Sequence, residues 1–171
     1  MAKGVTVTSS IITISGSTSE TIVNTFEQET VPLSLDILSR EVLLIYAVDI
    51  NTSTPDGLAS TNTSVHASLS TTSRTAVGNI GATNVFAEGQ MLIRAAGYAD
   101  GGVGFSHVSP ETPTANALDY VAIVSTNDFF IQVQGQNNLT TKGCSWRVWC
   151  ARAKVTADIY AALVQGEQLS A

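Results

Sequence analysis

Charge is scarce in this chain: 13% of its 171 residues are Asp, Glu, Lys or Arg, about half the proportion usual in soluble domains. Histidine and cysteine occur twice each, and lysine three times, at Lys3, Lys142 and Lys154. Two cysteines exclude a disulfide scaffold, and a chain of roughly 150 residues hides about two-thirds of its unfolded surface, so it needs neither disulfide nor metal to fold. The longest apolar run, Val42 to Val48, is too short to span a bilayer. Met1 to Thr6 lacks the basic and apolar regions of a signal peptide, so synthesis in the cytoplasm is expected. The net charge of −6 gives the whole molecule no field that draws a polyanion, which disfavours a free-standing nucleic-acid-binding module.

What is present is hydrophobic and hydroxylated. Apolar residues make up 44% of the chain, and Ser and Thr together number 39. Abundant Val, Ile and Thr argue against disorder and for strands, with a surface polar through hydroxyls rather than ions. Three N-x-[ST] triplets, at Asn51, Asn62 and Asn138, are the accidents expected of such a composition.

Alternation at period two recurs along the whole chain. Val5, Val7, Ile12 and Ile14 mark an early strand pair or arm. Thr21 to Thr30 and Val31 to Leu38 read as two strands, the second carrying Leu33, Leu35 and Ile37. Glu41 to Ile50 is apolar on both faces, as a central strand covered from two sides must be. Ser64 to Thr72 reads as half-exposed, its polar face Ser64, His66, Ser68 and Ser70. Thr83 to Ala96 is a strand with Gly89 as a bulge or bend. Leu118 to Ser125 and Phe129 to Gln134 suggest a hairpin through Thr126, Asn127 and Asp128, and Cys144 to Thr156 is a long strand holding both tryptophans. Gly-rich residues 97–104 and the Pro110 to Ala115 stretch read as loops. Ala157 to Ala171 fits either a short helix or a final strand with a tail.

Eight to ten strands in one domain mean an all-β, two-sheet sandwich: an eight-stranded jelly roll, with an immunoglobulin-like sandwich or closed barrel as alternatives. The jelly roll is favoured because both cysteines flank the tryptophans within one segment, unlike the immunoglobulin spacing. Residues 1–19 form an N-terminal arm, 20–156 the β-sandwich, and 157–171 the C-terminal helix or tail.

Few residues offer chemistry. No H-x-H pattern with a following Glu suggests a cupin metal site, no G-x-S-x-G a hydrolase, and no phosphate loop occurs among Gly97, Gly101, Gly102 and Gly104. His66 reads as an exposed strand histidine and His107 as a loop-edge residue. Glu27 and Glu29 share one strand face, marking solvent or a subunit contact. No enzyme activity and no cofactor are expected. The most informative cluster is Lys142, Arg147, Arg152 and Lys154 around Trp146 and Trp149, carrying +4 in 13 residues without an acid. Bases interleaved with aromatics suit single-stranded nucleic acid, while the same residues serve equally as core and subunit interface. Cys144 and Cys150, six residues apart on one strand, lie about 20 Å apart and are expected to be free thiols or to pair only between chains.

A strand-rich, low-charge, Ser/Thr-rich chain with an extended N-terminal segment, a two-sided apolar strand at Glu41 to Ile50 and Gly/Pro loops resembles the single jelly-roll coat (capsid) proteins of small icosahedral viruses. The resemblance implies a shell-forming structural subunit located in the virion, whose partners are copies of itself and other virion proteins. Many such proteins begin with an Arg/Lys-rich arm, whereas residues 1–39 here contain a single base, Lys3. A shell over an internal membrane, a minor or decorating virion protein, or genome contact through residues 142–154 each reconcile that departure. The alternative is a carbohydrate- or receptor-binding sandwich reading its ligand with loops and an aromatic such as Tyr98 or Trp149.

Overall fold

Antiparallel pairing nests the chain on itself. A computed structural model describes residues 4–97, 105–110 and 119–169. Their strands are β1 (Val5–Val7), β2 (Ile12–Ser19), β3 (Glu27–Pro32), β4 (Glu41–Thr52), β5 (Thr63–Ser70), β6 (Val85–Arg94), β7 (Phe105–Pro110), β8 (Ala122–Val124), β9 (Asp128–Gln136) and β10 (Gly143–Val155), followed by helix α1 (Ala157–Leu169). β2 pairs with β10, β3 with β9, β4 with β8 and β5 with β6, all antiparallel. The first half of the chain is therefore zipped to the second. Rolling that double ribbon brings β10 against β4 and β9 against β5, giving one sheet with β10, β4 and β8 in order and a second ordered β3-β9-β5-β6-β7. This is the jelly-roll arrangement.

The core fills the space between the sheets. Phe129, fully buried, meets Phe86 at 6.0 Å and Trp146 at 5.6 Å, both edge to face, and aliphatics from β4, β5, β9 and β10 surround them. The two-sided character of β4 has a specific cause. Trp149 pairs with Ala47 but the next residue, Cys150, pairs with Ile45, so Tyr46 is skipped and the inward parity switches. Val48 and Ile50 face the core above the shift, Leu43 and Ile45 below it. Val42 and Leu44 are left outward and join Val5, Ala153 and Val155 beneath Ile159, Tyr160 and Leu163 of α1. The helical spacing of those last three residues settles the C-terminal ambiguity in favour of a helix, with Asp158 in its first turn.

Several sequence expectations are corrected. In the segment expected as an arm, β1 and β2 lie end to end along β10 of the same chain, paired to it and not to each other. A single strand, β3, replaces the two expected between Thr21 and Leu38; Leu33 and Leu35 are buried from a loop whose N–H groups donate to the backbone oxygen and side-chain Oδ1 of Asn127. Thr126 to Asp128 makes no hairpin, because β8 and β9 belong to opposite sheets. Gly89 keeps regular register opposite Ala67; its lack of a side chain serves close approach, since a Cβ there would come within 2.9 Å of Ile50. His107 lies within β7, opposite Leu92, and Pro110 closes that strand. The expected loops at 98–104 and 111–115 fall outside the described residues.

The largest correction concerns β5. The serines of its polar face are buried, not half-exposed: Ser64, Ser68 and Ser70 are all shielded from solvent, and His66 alone of that face is partly open. The segment 71–84 folds back over the Ser68 and Ser70 end of this face and bonds to it, while the Ser64 hydroxyl has Gln136 as its partner. Ser68 Oγ donates to Gln132 Oε1 at 2.8 Å and accepts from the Gly78 N–H at 2.9 Å; Gln132 Nε2 donates to Ser70 Oγ and to Gln28 Oε1. Gln28 in turn holds Ser73 and the Arg74 N–H. Gln132, fully buried, thus joins three strands to their covering loop. Replacing Gln132 by Leu takes away the acceptor of the buried Ser68 hydroxyl and a donor to Ser70, which keeps its own bond to the Thr72 oxygen, and should cost about 2–3 kcal/mol. Urea unfolding measures that loss, and limited proteolysis should find new cleavage within residues 71–84 while far-ultraviolet circular dichroism is unchanged.

Candidate functional site

The basic and aromatic residues of β10 are placed by its two ladders, β2 on one side and β4 on the other. In that setting the six candidates separate. Lys142, just before the strand, is 7% exposed, and its Nζ donates to Asp56 Oδ1 at 2.6 Å. Its backbone N–H donates to buried Glu20, which also accepts from Gly135 and Asn24. Trp146 points inward against Phe129, with Gly16 opposite because a Cβ there would lie 2.8 Å from the indole. Its Nε1 has no acceptor among the described residues.

At the other end of β10, Arg152 donates from Nη1 to Glu41 Oε2 at 2.7 Å and from Nη2 to the Leu33 oxygen at 2.9 Å. It pins the 33–40 loop to the sheet. Lys154 is exposed and pairs in register with Glu41, its charge acting on Asp36. Arg147 and Trp149 face the opposite way, onto the outer surface, with the guanidinium carbon 5.8 Å from the indole centroid. From Lys142 to Lys154 the strand runs about 40 Å. The structure therefore brings Arg147 and Trp149 together, commits Lys142 and Arg152 to internal ion pairs, buries Trp146, and leaves Lys154 apart. No single basic stripe results.

Both cysteines lie on β10 and are buried, which pushes the Cys144 thiol up to about 12 and Cys150 to about 11. Such thiols hold little thiolate at neutral pH. Glu27 and Glu29 accept from the hydroxyls of Thr21 and Thr18, closing the rim between β3 and β2. Asn138, one of the N-x-[ST] asparagines, is buried and bonded on both sides of its amide, and Asn62 Oδ1 caps the Ala95 and Ala96 N–H groups. Tyr98 lies outside the described residues. Among the described residues no group of three or more His, Cys, Asp or Glu converges as metal ligands do, and no helix is long and apolar enough to cross a membrane.

Two features that residue-by-residue reading missed are surfaces. β2 is an edge strand of eight residues, ITISGSTS, whose one strand partner among the described residues is β10; only Thr18 in it is buried, and neighbouring Ile11 is 62% exposed. The other surface is a polar groove on the outer face of the second sheet, where His66 stands between Gln90 and Gln134 in direct cross-strand register. His66 is half-buried, not exposed as expected, and burial pushes its pKa down. The alternating glutamines 132, 134 and 136 were a visible signal for that face.

No protein-family model matches the sequence, and no curated protein matches it. Among solved structures the chain is similar to one of Desmodium yellow mottle tymovirus, over 86% of this chain and 89% of that one, at 9% identity and a TM-score of 0.33. At those values the likeness carries no argument, and the functional reading rests on the chain's own geometry.

Asp56 offers a direct check of the end-cap around Lys142. Lys142, joined by the N–H of Leu139, holds its carboxyl down to about 2 from the ordinary 3.8. A depressed acid contributes stability that is complete above the unfolded value and is lost as pH falls through the folded one. Wild-type stability should therefore drop between about pH 4 and pH 2. Asp56→Asn should be less stable at neutral pH and lose less over that interval; parallel curves in pH-dependent urea denaturation would remove the pair from this role.

Proposed function

We propose that the chain is the structural subunit of a viral shell, a coat protein that assembles with copies of itself through lateral contacts. The observation that carries this reading is the β2 edge. A free edge strand is a template for another chain, and monomers blunt it with charge, proline, shortness or bulges. β3 carries Glu27, Glu29 and Pro32 on its six residues, and β8 is only three residues long. β2 has eight residues, no charge and no proline. A protein with three lysines in all places none of them there.

Other exposed aliphatics support lateral contact at the two ends of the sandwich: Ile22 and Leu139 at one, Ile37 and Leu38 at the other. Each alone is ordinary, but a stable contact burying at least about 1,000 Å² needs apolar centres of this kind. Arg147 and Trp149, beside Ser15 and Thr13 of β2 in register, would lie within such an interface. Genome contact is not what the basic residues support, since two of the four cluster bases are already paired. The virion is the corresponding location, with other virion proteins as further partners.

Light scattering with negative-stain imaging tests the proposal. The wild-type chain should form particles of many times 17.9 kDa. Thr13→Lys with Ser15→Lys places two charges on the edge and should reduce particle mass at least tenfold while leaving circular dichroism and the unfolding midpoint in place. A wild-type chain that stays monomeric over all concentrations and salts overturns the coat-protein reading.

A further inference from the structure

We propose that the groove on the outer face of the second sheet binds a neutral sugar bearing an acetamido group. The groove is independent of the β2 edge and of the shell reading. It is an open groove of about 410 Å³ lined by Asn24, Asn137, Ala76 and Val77 together with residues of β5 and β9. Its floor is the β5–β9 ladder where His66 opposes Gln134, with the Gly135 backbone beside them. That volume lies within the range of small-ligand sites and exceeds what ordered water alone needs.

The floor is held ready. Gln90, opposite His66 on β6, lies with its Nε2 at 3.1 Å from His66 Nε2. With that amide donating, the neutral ring carries its proton on Nδ1 and has one N–H donor left. Asn24 is fixed by reciprocal bonds to the backbone of Asn138, and Asn137 Nδ2 donates to the Asn62 oxygen. Asn137 Oδ1 is thus an oriented acceptor. Gln134 differs from its neighbour Gln132, whose amide is fully occupied by Ser68, Ser70 and Gln28. Gln134 is half-buried and its side-chain amide makes no hydrogen bond to the described residues. A donor pair and an acceptor on one planar group therefore remain open to a ligand in the groove.

Charge decides the ligand class. The lining residues are amides, imidazole, glycine and small aliphatics, with no Lys, Arg, Asp or Glu. The acid whose charge acts on His66 is Glu88, outside the lining, whose carboxylate accepts the Ile80 N–H at 2.7 Å. A phosphate, carboxylate or ammonium would lose hydration here without a counter-charge. A neutral ligand that both donates and accepts matches the amides and the imidazole. Hydroxyls and an acetamido N–H and C=O supply such groups, and the acetamido methyl has an apolar wall in Ala76 and Val77.

Titration of the full-length wild-type chain with N-acetylglucosamine, followed by the His66 Cε1–H resonance and by saturation transfer to the sugar, tests this. Saturable shifts with a dissociation constant of about 1–10 mM are expected. Gln134→Leu should weaken binding at least tenfold with an unchanged thermal midpoint, while Leu139→Ala, outside the groove, should leave it unaltered. Absence of shifts up to about 50 mM sugar, or equal binding by Gln134→Leu, overturns the site. Equal or tighter binding of glucose, N-acetylneuraminic acid, inorganic phosphate or adenosine overturns the acetamido-sugar assignment. Loss of particle formation in a β2-edge variant would bear on the shell reading alone, since that edge lies on the other sheet.

Discussion

The ladder between β4 and β10 is the constraint on which the rest depends. It runs from Cys144 opposite Thr52 to Lys154 opposite Glu41, and every other layer is attached to one of its two faces or two edges. Its inner face supplies Ile45, Val48, Ile50, Trp146 and Val148 to the core, and its outer face gives Val42, Leu44 and Ala153 to the helix. β1 and β2 add to one edge and β8 to the other. The skipped Tyr46 makes this double duty possible. Without the parity switch, an alternating strand would send Leu43 and Ile45 away from the core that Val48 and Ile50 enter.

A chain with so few ionic groups must satisfy buried polar atoms by other means, and it does so with neutral amides and hydroxyls plus a few isolated charges. Gln132 serves under the 71–84 segment, Asn138 and Glu20 at the end of the roll near Lys142, and Glu167 of α1 by accepting from the Ser125 N–H and hydroxyl. Burial raises the Glu167 pKa despite those bonds, because desolvation outweighs them. Each device joins segments distant in sequence. Order in the long connections therefore comes from side-chain bonds to the sheets, since regular ladders are absent there.

How much of this was legible locally depends on whether the deciding partner is a neighbour in sequence. β4, β9 and β10 show apolar alternation strong enough to define them, and the jelly roll follows from strand count and chain length. The helix needed the uncovered outer pair Val42 and Leu44 to select it over a strand. The face of β5 differs from its local reading because Ser68 and Ser70 look solvated until a loop beginning at residue 71 lies on top of them. Likewise, Lys142 and Arg152 look like a nucleic-acid grip in a one-dimensional reading. Their acids, Asp56 and Glu41, are 86 and 111 residues away in the chain. The six residues of the β10 cluster therefore do not share one surface: Lys142 and Arg152 have acidic partners within the chain, while Arg147 and Trp149 lie together on the outer face.

The two surfaces that remain are compatible because they sit on different sheets. β2 extends the first sheet in its own plane, so a neighbour added there continues that sheet sideways. His66, Gln90 and Gln134 stand on the outer face of the second sheet, which points away from the first. The core between the sheets is closed by Phe86, Phe129 and Trp146, so neither surface opens into it. On the two proposals, a subunit enclosed along its edge by copies of itself would still present the groove to solvent. On those proposals the scarcity of charge would serve both surfaces: an uncharged edge would admit a like strand, and an uncharged groove a neutral ligand, without an ion left unpaired.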